Sequence, residues 1–125
     1  MSLLPWIALG GALGAMARFG LTALATEALG PRLPWGTLLV NVVGSLLLGM
    51  LMAWGDRAPM GQGVRVMLTT GVMGALTTFS TFSVETVRLV ERGDWLWAGA
   101  NVLGNVVLSL AAAAIGLAIV GRTSG

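Results

Sequence analysis

The chain has no cysteine and no histidine. Disulfides, thiolate and imidazole metal sites and the common nucleophile and base pairs are thereby excluded, and the redox compartment is unreadable. Lysine is absent too, and charge is sparse: seven Arg against five acids, a formal net charge of +2 over 125 residues. The pI of 11.2 therefore reflects guanidinium chemistry. No basic run exists to follow a phosphate backbone, so nucleic acid is not an expected partner. What is there is apolar: 56% hydrophobic residues and a mean hydropathy of +0.89. A chain this short buries too small a fraction of itself in water to hide such a surface. That surface must face lipid or a partner.

Charges and turn residues divide the chain into four apolar segments, about 3–25, 35–54, 64–87 and 95–120. A hydrocarbon core of about 30 Å is crossed by about 20 residues of helix, and backbone groups in lipid must be satisfied internally. The expectation is an all-α membrane protein with four transmembrane helices forming a single transmembrane domain over residues 1–125. The loops between them are too short to be domains. The start, Met1 to Ala17, contains small residues that resemble a cleavage region but lacks a basic stretch before them, so it reads as a retained first helix. Trp6, Trp35, Trp54, Trp95 and Trp97 all fall at segment ends, as an aromatic belt would.

Four crossings put Arg57, Arg65 and Arg122 on one side and Arg32, Arg88 and Arg92 on the other, with Arg18 near the end of the first segment. Basic-residue asymmetry is what orients such helices, and here it nearly vanishes. The near-tie predicts insertion in both orientations and pairing as an antiparallel, dual-topology homodimer. The alternative is a single topology set by other cues.

Polar residues within the segments carry the functional information, because polarity in lipid is costly. The third segment reads Gly71-Val72-Met73-Gly74-Ala75-Leu76-Thr77-Thr78-Phe79-Ser80-Thr81-Phe82-Ser83, with five hydroxyls in its last seven residues. Two readings stand: a helix broken at mid-membrane, exposing carbonyl oxygens to a cation, or a continuous helix whose hydroxyls bond the preceding turn. Phe79 and Phe82 share a helical face with Ser83 and Thr86. A ring turned edge-on can stabilise a dehydrated anion; core packing is the competing reading. The second segment carries Thr37 and Asn41 on one face, and the fourth carries Asn101, Asn105 and Ser109 at i, i+4 and i+8. Their amides and hydroxyls are the donors an anion needs when it sheds water. Gly10 with Gly14, and Ser45 with Gly49, are small-xxx-small packing surfaces. Arg18 either snorkels or draws anions into a vestibule. Glu85, at the far end of its segment, reads as solvated or paired with an Arg.

Taken together, these residues resemble the Fluc (CrcB) family of fluoride channels over nearly the whole chain. Gly14-Ala15-Met16-Ala17-Arg18 is similar to that family's first-helix motif. Gly36-Thr37-Leu38-Leu39-Val40-Asn41-Val42-Val43-Gly44-Ser45 resembles its second, and Gly74 to Phe82 its third and most specific. The resemblance implies a fluoride-selective channel. Fluoride would leave the cytoplasm passively through two pores of an antiparallel homodimer in the plasma membrane of a prokaryote, with a structural sodium ion at the dimer centre and no organic cofactor. It implies pore roles for Phe79, Phe82, Asn41, Thr37, Ser83, Asn105, Ser109 and Arg18, and sodium-binding backbone carbonyls at Gly74 and Thr77. Asn101 stands where that family has a tyrosine, and Asn105 where it has a serine. Weak multi-site binding by neutral donors fits a passive pore. The rival is a small dual-topology, proton-coupled multidrug exporter, which needs a titratable carboxylate inside the membrane. The first segment has none. An enzyme is not expected, since no acid, base and nucleophile converge.

Overall fold

The computed structural model describes residues 2–123, with side chains as far as Gly121. Met1 and the Arg122 side chain, which entered the readings of the first helix and of the charge balance, lie outside them. Among the described residues there is no strand. Helix α1 spans Leu4–Leu29 with Pro5 in its first turn, where a missing N–H costs nothing. It stops at Gly30, whose positive φ of 89° is one that glycine adopts without strain. Helix α2 spans Trp35–Gly55. The chain then forms α3 (Gln62–Val66), a wider π-helical stretch (Met67–Met73) and α4 (Gly74–Leu76) as one rod. Helix α5 (Phe79–Glu91) follows after a break and closes at Gly93, φ 81°, with the Asp94 N–H returning to the Leu89 carbonyl at 2.9 Å. The last rod joins α6 (Trp95–Leu103), a second π stretch (Gly104–Leu108) and α7 (Ser109–Thr123).

Three of these rods, Leu4–Leu29, Trp35–Gly55 and Trp95–Gly121, are long and apolar enough to cross a membrane. The segment 62–91 is helical in two pieces, and the 13 residues of α5 reach only about 20 Å. Helix ends also run past the expected segment ends. Helix α1 continues through Glu27 to Leu29, and α5 continues through Arg88 to Glu91. A charge ends an apolar run without ending a helix; the backbone stops where glycine at positive φ lets it turn.

Glycines set the closest packing. A Cβ at Gly71 would lie 2.8 Å from the Gly10 Cα, and one at Gly14 would lie 3.0 Å from the Ala75 Cβ, so α1 and the third rod meet backbone to backbone. Gly49 of α2 meets the Ala113 carbonyl of α7, and Gly116 of α7 meets Leu46 of α2 in the same way. Such contacts hold helices together where lipid removes the hydrophobic drive. A small buried cluster consists of Val40, Met73 and Leu76, flanked by Leu21, Leu51 and Val72. In the central stretch of α1 only 11% of residues are buried. Most apolar side chains point outward, with Phe19 at 79% and Leu96 at 79% exposure.

Candidate functional site at a helix break

The break falls at two threonines. Thr77 (φ −86°, ψ 154°) and Thr78 (φ −148°, ψ 121°) are both extended. Of the two readings of this segment, the interrupted helix is the observed one. The hydroxyls serve both sides of the interruption. Thr77 Oγ1 donates back to the Met73 carbonyl at 3.0 Å. Thr78 Oγ1 accepts the Thr81 N–H at 3.2 Å, an N-cap for α5. In a continuous helix the Thr78 N–H would go to the Gly74 carbonyl; here it donates to Asn41 Oδ1 at 2.8 Å. Asn41 Nδ2 in turn donates to the Thr78 carbonyl at 3.1 Å and to Asn105 Oδ1 at 2.9 Å. One side-chain amide thus takes both polar groups of an extended residue, as a neighbouring strand would. Arg18 supports the other edge, its Nε donating to the Ala75 carbonyl at 3.0 Å in the last turn before the break.

Beside the break lies a cleft of 370 Å³. Of the expected site residues it gathers Asn41, Thr77, Phe79, Phe82, Asn105 and Ser109. The two rings stand 5.4 Å apart between centroids and are tilted by 57°. They differ in burial: Phe82 is 8% exposed and Phe79 78%. Ser109 borders the cleft, and its Oγ is buried with no hydrogen-bond partner among the described residues. Asn105 is held from behind, its Nδ2 donating to the Asn101 carbonyl at 2.9 Å and to Asn101 Oδ1 at 3.0 Å.

Other expected residues lie elsewhere. Thr37 is 2% exposed and faces the Glu85 carboxyl, away from this cleft. The Ser83 hydroxyl is engaged with the Phe79 carbonyl at 2.9 Å. Arg18 borders a separate hollow on α1 with Phe19 and Thr22, and Gly74 is not among the residues lining the cleft. Glu85 is half-buried and makes no ion pair with an arginine among the described residues. Its Oε1 is buried and unpartnered among the described residues, it borders a hollow with Arg32, Arg88 and Arg92, and Arg88 pairs with Glu91 at 3.8 Å. Ser45, read from sequence only as packing, borders the cleft. Asn101 has a structural task that the sequence did not reveal, since its Nδ2 also donates to Thr86 Oγ1 at 2.9 Å, bridging α6 to α5. Its i, i+4 spacing to Asn105 was the available signal.

Residues 5–117 match the family model described as CrcB-like protein, Camphor Resistance (CrcB). The chain belongs to the CrcB family. CrcB relatives agree over almost the full length. A protein of Opitutus terrae is 48% identical, covering 99% of this chain and 97% of its own. One of Syntrophotalea carbinolica is 51% identical over 91% of this chain and 94% of its own, and one of Salinibacter ruber is 49% identical over 90% and 85%. Each is named fluoride-specific ion channel FluC, an ion channel and not an enzyme. With its long apolar helices and its CrcB membership, this chain is an integral membrane protein.

Proposed function

We propose that the chain is a fluoride-selective channel through which the ion leaves a bacterial cytoplasm passively. The carrying observation is the cleft at the Thr77–Thr78 break, where neutral amide and hydroxyl groups stand beside a tilted phenylalanine pair and no charged side chain among the described residues lines the wall. Fluoride holds its water tightly. A pore must replace that water with closely spaced donors and positive ring edges, yet bind weakly enough to release the ion. Asn41, Ser109, Phe79 and Phe82 supply such a series, Thr37 and Ser83 would join it beyond the cleft only by exchanging their present partners, and Arg18 lends positive potential nearby. The names carried by the bacterial relatives support the same reading.

The functional unit in this reading has four crossings per copy within a single domain, the segment 62–91 being the interrupted third. It is a homodimer of oppositely inserted copies with two pores, lying in a lipid bilayer that is the plasma membrane. The outward apolar faces and the 78% exposed Phe79 support a second copy. A structural sodium ion fits the donor set. The Gly74 carbonyl loses its helical Thr78 N–H donor to Asn41, and uncharged carbonyl oxygens of Gly74 and Thr77 are hard ligands suited to an alkali cation. The ion would tie the two copies together at their breaks.

Purified protein in fluoride-loaded vesicles, read with a fluoride electrode, tests the function. Wild type is expected to release fluoride and Phe82→Ile to abolish release with the assembly intact. Equal release would remove Phe82 from the path, and vesicles that hold their fluoride would end the channel reading.

A further inference from the structure

Hydrogen-bond polarity fixes the orientation of all three asparagines in this chain. At one end stands the Thr78 N–H, which can only donate, so the atom of Asn41 that meets it is Oδ1. Asn41 Nδ2 therefore faces Asn105 and must find an acceptor, which is Asn105 Oδ1. At the other end the Asn101 main-chain carbonyl can only accept, and it takes Asn105 Nδ2. A third anchor agrees: the Phe82 carbonyl accepts Thr86 Oγ1 at 2.8 Å, leaving the Thr86 oxygen to accept Asn101 Nδ2. Flipping any one amide sets donor against donor or acceptor against acceptor.

Two consequences follow for the cleft. Asn105 offers it an oxygen and no free N–H, so it is not a donor to an anion. Asn41 has one N–H on the Thr78 carbonyl and the other on Asn105, so no donor is idle. An anion that enters can be bound by Asn41 only by replacing Asn105 Oδ1, since releasing Thr78 would open the helix break.

Resting on the fluoride-pore reading above, we infer that Asn105 is a surrogate acceptor that holds the second amide hydrogen of Asn41 in the empty pore and yields it to the passing anion. Asn101 is a positioning residue that keeps the Asn105 oxygen aimed at Asn41. The competition weakens anion binding and speeds release. It operates without any charged group.

The test uses full-length protein in lipid nanodiscs, labelled with 15N-asparagine, titrated with sodium fluoride against sodium chloride at equal ionic strength. Three asparagines make assignment by substitution direct. The Asn41 side-chain amide signal is expected to move with fluoride and not with chloride. Asn105→Leu, similar in shape, is expected to lower the fluoride concentration at half-shift by about three- to tenfold, the worth of one competing hydrogen bond, and to slow maximal vesicle efflux. Asn101→Leu leaves the main-chain acceptor in place and is expected to act in the same direction more weakly; it decides the matter if Asn105→Leu does not fold. A half-shift concentration that is unchanged or raised overturns the inference, as does an immobile Asn41 signal in protein whose vesicles release fluoride. Wild-type vesicles that release none overturn the channel reading instead.

Discussion

Asn41 is the residue on which the break depends. It pairs with the N–H and the carbonyl of Thr78 together. Asn41→Leu keeps the volume and removes both bonds, stranding the two backbone groups at a cost of about 1–3 kcal/mol. Thermal unfolding in detergent is expected to shift down accordingly, with fluoride efflux lost, whereas an unshifted melt would mean that water replaces the amide. From sequence, Asn41 was legible as a donor on the face it shares with Thr37. Its pairing with Thr78 was not, because nothing local links positions 37 residues apart. Thr37 shows the limit differently: sharing a face with Asn41 places it on the same side of α2, yet another neighbour, Glu85, occupies that level.

Among elements, the junction of α1 with the third rod is the tightest. Gly71 and Gly10 leave no side chain between the two backbones. Gly71→Val is expected to destabilise by about 1–3 kcal/mol, since backbone on both sides cannot move aside as a flexible side chain could. Gly11 faces open space, so Gly11→Val is the matched control and its melting temperature is expected to hold. Equal losses in both variants would refute backbone contact as the cause. The small-xxx-small spacing made the Gly10–Gly14 face of α1 readable in advance, though not its Gly71 partner, as hydropathy did for the three uninterrupted rods. Rod ends were less readable. Apolar runs report where lipid stops, while Gly30 and Gly93 report where helix stops, and the two differ by about a turn. The break was visible as one of two outcomes. Glycines suggested it, but the residues that take up the extended conformation are Thr77 and Thr78, stabilised by a partner on α2.

For the whole molecule, the proposed antiparallel pair makes orientation a testable quantity. Gly61→Arg with Gln62→Arg adds positive charge to one end of the bundle, and Glu27→Arg with Glu91→Arg adds it to the other. Each pair is expected to drive insertion one way, so that either variant alone yields little efflux and co-expression of the two restores it. Full efflux from a single biased variant would contradict assembly from opposed copies. Sequence carried this much through its arginine balance alone. It could not say how far a lone copy leaves its surface uncovered. The outward rings of Phe19 and Phe79 and the sparse burial along α1 supply that.

The amide clasp on Thr78 has one more consequence. A gap in a helix usually needs solvent to occupy its loose ends, and a wet seam would let a small hydrated ion keep its shell. Because the seam here is stitched by a side chain from α2, its loose ends need no solvent to satisfy them. In the proposed pore the wall then has its bonds in place before anything arrives, and the traveller, not the protein, must undress.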